Sequence, residues 1–303
     1  MLSDPLRTAD RLRRALSRPV SNAQHSNLFS TLLAGELPRQ LGLRAPRLLG
    51  EGLLFAAMGL YLANAVGIPQ SGFFAIFLTA AGLTGRFNQL LDENRDEIHQ
   101  RATPSLRVNA VTALSVLMLF LGIFAAFSAA ALWWGEDRLR DAFGFALDSA
   151  NLGTDSVLTH SFSGLGGMLR HNYVVLATFF ALAFVYRAYG ALLALSWNAC
   201  VWAMVLTILV WRGLAATTIA PALYLPAAAL AVLPHLLIEA ASYVLGALAA
   251  IFCSKALLTY RVSEPRFWRV MRAVALLLAA AALGIALGAL VETTLPRAAL
   301  SRL

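Results

Sequence analysis

Apolar residues along this chain gather in long blocks, neither alternating nor following one amphipathic period throughout. Blocks near residues 48–68, 73–91, 108–134, 171–213, 221–258 and 270–291 approach or exceed the roughly 20 residues a helix needs to cross a hydrocarbon core. As a single helix, the block 171–213 would be about 65 Å long, twice the core thickness. It is therefore read as two spans, broken at Arg187-Ala188-Tyr189-Gly190, where a charge, an aromatic and a glycine meet. Alternating segments of about ten residues, the mark of a membrane β-barrel, are missing from the pattern. The pattern predicts an all-α polytopic transmembrane helical bundle of about six to seven spans, with amphipathic interfacial helices. The preferred topology has seven spans, the N-terminus in the cytoplasm and the C-terminus outside.

Polar stretches mark the boundaries. Residues 1–47 form a basic, interfacial N-terminal arm. Asp4-Pro5 suits a helix start, after which Leu6, Ala9, Leu12 and Leu16 line one face and Arg7, Arg11, Arg14 and Arg18 the other. Such a helix lies on an anionic leaflet or docks on a partner. Ser21 to Arg47, with Pro38 and Pro46, has room for one short helix. Residues 48–134 hold three spans, the first two joined at Gly67-Ile68-Pro69-Gln70, with Trp133-Trp134 as an interfacial anchor. Residues 135–168 form an extracytoplasmic loop. Within it Leu139, Phe143, Ala146 and Leu147 make an apolar stripe, on a short helix expected to lie flat on the outer surface or to dock a partner there. Residues 169–258 are the membrane core, and 259–303 a basic cytoplasmic loop and last span. The arginines Arg86, Arg95, Arg101, Arg107, Arg261, Arg266, Arg269 and Arg272 assign the cytoplasmic side.

Composition agrees. The chain has 303 residues, 59% hydrophobic and 13% charged, against about 25% charged in soluble domains. The formal charge of +8 sits at the ends of apolar blocks, so it signals membrane topology rather than nucleic acid. Cys200 and Cys253 lie inside apolar blocks without a CxxC spacing and read as core residues. The first twenty residues carry no apolar h-region, so no cleavable signal peptide is expected.

Ionisable groups inside these blocks are the candidate chemistry. Pro234-His235-Leu236-Leu237-Ile238-Glu239 places a histidine and a carboxylate one helical turn apart, beyond a proline expected to kink the helix. A charged group at mid-bilayer costs roughly 2.5–3.5 kcal/mol on insertion scales, so the pair either satisfies itself as a packing device or serves transport or catalysis. Counting residues inward from Arg187 and Lys255 brings Asn198, His235 and Glu239 to similar depth, as a midplane polar cluster. Asn172 falls at the opposite, outer end of its block and outside that cluster. Gly284 and Gly288 form a GxxxG pattern for close helix contact, within the bundle or between copies. No HExxH, phosphate loop or catalytic set occurs; two ligands, His235 and Glu239, fall short of the three a catalytic zinc needs. No catalytic residue, metal or cofactor is assigned.

His171-Asn172, Asn198 in the paired span, and Pro234-His235-x-x-x-Glu239 resemble the stage II sporulation protein M family over roughly residues 165–257. The family's Asn-Gly and Pro-His-Gly glycines are Ala199 and Leu236 here, and its Gly-rich turn is reduced to Gly190. The resemblance implies a membrane component that anchors partner proteins of a cell-envelope complex, in relatives often beside a separate MoxR-type ATPase. The expected function is thus a non-catalytic subunit of the bacterial cytoplasmic (inner) membrane that scaffolds or anchors an envelope complex. The alternative is a transporter or permease subunit with a midplane polar site. Expected partners are membrane lipids, other membrane or envelope proteins and a second copy of the chain, and not nucleic acid.

Overall fold

In the computed structural model, residues 36–67, 69–99, 105–149 and 164–300 are described. The basic segment Leu6 to Arg18, the loop with Arg101 and the acidic residue Asp155 lie outside them. The chain divides into two compact units, Met1–Gln40 and Leu41–Leu303; apart from the first turn of α1, every helix below belongs to the second. The helices are α1 (Glu36–Val66), α2 (Ser71–His99), α3 (Ser105–Trp134), α4 (Glu136–Ser149), α5 (Gly164–Ala216), α6 (Pro221–Thr259) and α7 (Pro265–Leu300), with no strand among the described residues. Together they form an all-α bundle.

Five helices are long and apolar enough to cross a membrane: Arg44–Val66, Ser105–Trp134, Leu165–Ala216, Pro221–Thr259 and Pro265–Thr294. The block 73–91, expected as a span, lies in α2, which is not among them because Arg86, Asn88 and Gln89 interrupt its second half. α1 starts earlier than expected and runs through Pro46 as one helix. Arg266 and Arg269, expected in the loop before the last span, lie in the first turns of α7, opened by Pro265, whose missing N–H costs nothing at a helix start.

The long apolar block reverses where its length demands. Arg187 leaves helical geometry at φ 54°, ψ −126°, dividing α5 into α5a (164–186) and α5b (188–216). In a straight helix Leu182 and Gly190 would be about 12 Å apart along the axis. Instead, a Cβ on Gly190 would collide with the Leu182 carbonyl. The two halves therefore fold back on each other, and glycine is what lets the backbones touch.

A network of ion pairs marks one end of the bundle. There Arg44 pairs with Glu93 at 2.9 Å, and Glu51 receives both Arg47 and Arg86 at 2.8 Å. Buried Asn94 donates to Asn109 and Thr112 at 3.0 and 2.9 Å, tying α2 to α3. At the opposite end α4 packs against α2, α3 and α5. Its stripe of Leu139, Phe143, Ala146 and Leu147 is buried on the protein, so it does not meet lipid as expected of a flat surface helix. Gly72 leaves the space that Phe143 fills, and Phe143 stacks on Trp134 at 5.9 Å.

Two glycines test this packing. Gly190→Ala forces a methyl into the Leu182 carbonyl and is expected to destabilise by about 1–3 kcal/mol. Gly85→Ala, with open space around its Cβ position, is expected to stabilise by about 0.5–1 kcal/mol through helix propensity. Thermal midpoints of the purified variants in detergent should move in opposite directions; equal midpoints would contradict the hairpin.

Candidate functional site

A buried polar site joins α5a, α6 and α7. Asn172, on α5a, donates from Nδ2 to Oε1 of Glu239, on α6, at 2.5 Å. Both side chains are buried, at 7% and 5% exposure, where an unpaired polar group would be costly. α7 covers the pair with a glycine: a Cβ on Gly288 would sit 2.9 Å from Glu239 Cγ. One turn earlier, a Cβ on Gly284 would collide with Ser242 Oγ, which donates to the Ile238 carbonyl at 2.7 Å. The GxxxG pattern thus packs within the bundle, giving Glu239 and Ser242 the room a larger residue would take.

Neighbouring contacts hold the three helices in register. Tyr173 donates from its hydroxyl to the Ala282 carbonyl on α7 at 3.1 Å. Phe179 stacks on Tyr243 at 4.8 Å, and Gly246 admits the Leu176 side chain. Glu292, half-buried one turn beyond Gly288, lies within electrostatic reach of Glu239 and Tyr243.

The composition of this cluster differs from the sequence expectation. Glu239 is held by Asn172, not Asn198. Asn198 is buried on α5b, but its Nδ2 has no hydrogen-bond partner among the described residues. His235 is also buried; the Ala231 carbonyl faces it one turn back, but its Nδ1 forms no hydrogen bond with a described residue. Pro234 does not interrupt α6, which runs through it and Pro226 as helix.

The reason lies in where α5 begins. It starts at Gly164, so Asn172 sits two turns inside the helix rather than at its end. Arg187 and Lys255 share one electrostatic neighbourhood with Asp92 and Arg95. From that level Asn172 is about 22 Å up α5a and Glu239 about 24 Å up α6.

Among the described residues no three His, Cys, Asp or Glu side chains gather as a metal-binding group. Cys200 and Cys253 are free thiols, one buried and one half-buried. No family model, curated protein or solved structure matches this chain.

A mutant cycle tests the contact between α6 and α7. Gly288→Ala pushes a methyl against Glu239 Cγ, and Glu239→Ala strands the Asn172 amide, each expected to cost about 1–3 kcal/mol. In the double variant the new methyl occupies space vacated by Glu239, so the two losses should fall short of adding, with a coupling of about 0.5–3 kcal/mol. Thermal midpoints in detergent give the cycle, and strict additivity would place Gly288 away from the carboxylate.

Proposed function

We propose that this chain is a non-catalytic integral membrane subunit that scaffolds or anchors a cell-envelope complex in a bacterial cytoplasmic membrane. The observation that carries this reading is the Asn172–Glu239 pair packed under Gly288. The carboxylate is committed to a neighbouring helix and covered by backbone, an arrangement that fixes helix positions rather than offering a reactive group. Buried polar groups that bond across helices specify a unique packing, which a docking platform requires.

Two further points favour it. Asn172 and Glu239, 67 positions apart, are among the residues that resemble the stage II sporulation protein M family, and they are each other's partners. In addition, Arg44, Arg47, Arg86, Arg95, Arg187 and Lys255 stand at one end of the bundle, which by the positive-inside rule faces the cytoplasm. A separate ATPase and envelope proteins are then the partners to seek.

A second reading, transport through the site, is favoured by Glu292, a second carboxyl within electrostatic reach of Glu239, one turn beyond Gly288 on α7. Proton flux in proteoliposomes separates the two. Glu239→Gln keeps the volume and an oxygen acceptor for Asn172, so as a scaffold both forms should leak no more than empty vesicles and keep similar thermal midpoints. A flux that the wild type supports and Glu239→Gln abolishes would overturn the scaffold reading.

A further inference from the structure

The reversal of α5 is made by a residue its own backbone disfavours. At φ 54° and ψ −126° Arg187 takes the shape of the first central position of a type II′ turn, where glycine is favoured. Strain of this kind persists only where the surrounding structure over-determines it, and it clusters at functional sites. Here the side chain is an exposed cation at the tip of a helical hairpin.

The tip has cationic company. Lys255, half-buried on α6, lies within electrostatic reach of Arg187, Arg95 and Asp92. Arg95 and Asp92 are already engaged with each other at 3.5 Å, and Arg95 also holds Asp96 at 3.3 Å. Neither Arg187 nor Lys255 has an ion-pair partner among the described residues. Two cations thus stand within reach of each other, and the one carboxylate near Lys255, Asp92, is shared with Arg95.

Their surroundings are apolar. Val185 and Tyr186, just before the tip, are 64% and 60% exposed. Leu257 and Leu258, beyond Lys255, are also exposed, so the apolar surface continues past the cation. An unpaired cation in such a belt is costly, and an anion held at the same interface relieves it.

We propose that the Arg187 hairpin tip and Lys255 form a site for the phosphate of an anionic phospholipid headgroup, with an acyl chain lying along Val185 and Tyr186. Two donors of positive charge beside exposed apolar side chains match an amphiphile better than a free ion. The site is independent of the Asn172–Glu239 pair and of the scaffold reading.

The test uses the purified full-length chain in a zwitterionic detergent. Bound phosphatidylglycerol and phosphatidylcholine are counted by native mass spectrometry, and thermal midpoints are followed during lipid titration. Phosphatidylglycerol should bind in preference to phosphatidylcholine and raise the wild-type midpoint. Arg187→Gly should be more stable than wild type without lipid, yet bind phosphatidylglycerol about fivefold more weakly. Lys255→Gln should weaken binding similarly, and Arg187→Lys should keep it. Arg269→Gln, which removes an exposed cation on α7 that is no part of the proposed site, should bind like wild type. Equal weakening by Arg269→Gln would reduce the effect to diffuse charge and overturn the site. So would inorganic phosphate reproducing the whole stabilisation, or Arg187→Gly being less stable than wild type without lipid.

Discussion

A carboxyl group buried among apolar helices has few stable arrangements, and the bond between Asn172 and Glu239 is the one on which this bundle turns. Without a donor the group would face a desolvation cost of about 1–3 kcal/mol or more. The Asn172 amide supplies the donor, but only if α5a and α6 hold one rotation and one height. Gly288 adds a second condition, because α7 can approach only where a side chain is missing. A Leu-rich interface tolerates sliding; a single donor–acceptor pair under a glycine does not. Interhelical bonds of this sort contribute modest energy, about 0.6–2 kcal/mol, so their value lies in selecting one packing.

That selection depends on the chain reversing twice between the two residues. Running straight on from Asn172, α5 would carry its second half far beyond any bilayer. The turn at Arg187 returns α5b, and residues 217–220 return the chain again into α6. α5a and α6 therefore run in the same direction, and the stacked pair Phe179–Tyr243 sits between the Asn172–Glu239 bond and the basic end. Local strain at one residue thus serves a contact some 22 Å away along the helix.

Much of this was readable in the residues. The all-α bundle followed from the blocks themselves, and the break at Arg187 followed from arithmetic, since no single span accommodates residues 171–213. Gly284 and Gly288 announced a close helix contact, though not that Glu239 and Ser242 would fill the space. The choice of Asn172 over Asn198 was not legible. It depended on how far α5 extends before its apolar block, and that extension, through Gly164 to Arg170, is rich in glycines, among the poorest helix formers. The burial of α4 escaped for a different reason. An apolar stripe on a short helix looks the same whether it meets lipid or protein, and only the complementary gap at Gly72 distinguishes them.

α2 shows how a polar helix is accommodated beside apolar ones. Arg86 meets Glu51 on α1, with both side chains about one-fifth exposed. Asn94 meets Asn109 and Thr112 on α3. The hydroxyls of Thr79 and Thr84 turn back to carbonyls of their own helix at 2.7 Å. Arg86, Asn94, Thr79 and Thr84 are thus each paired with α1, with α3 or with α2 itself. In an apolar solvent that satisfaction acts as an attraction, since lipid offers these groups no alternative partner. The helix least able to enter a membrane alone therefore has the strongest reason to associate with its neighbours.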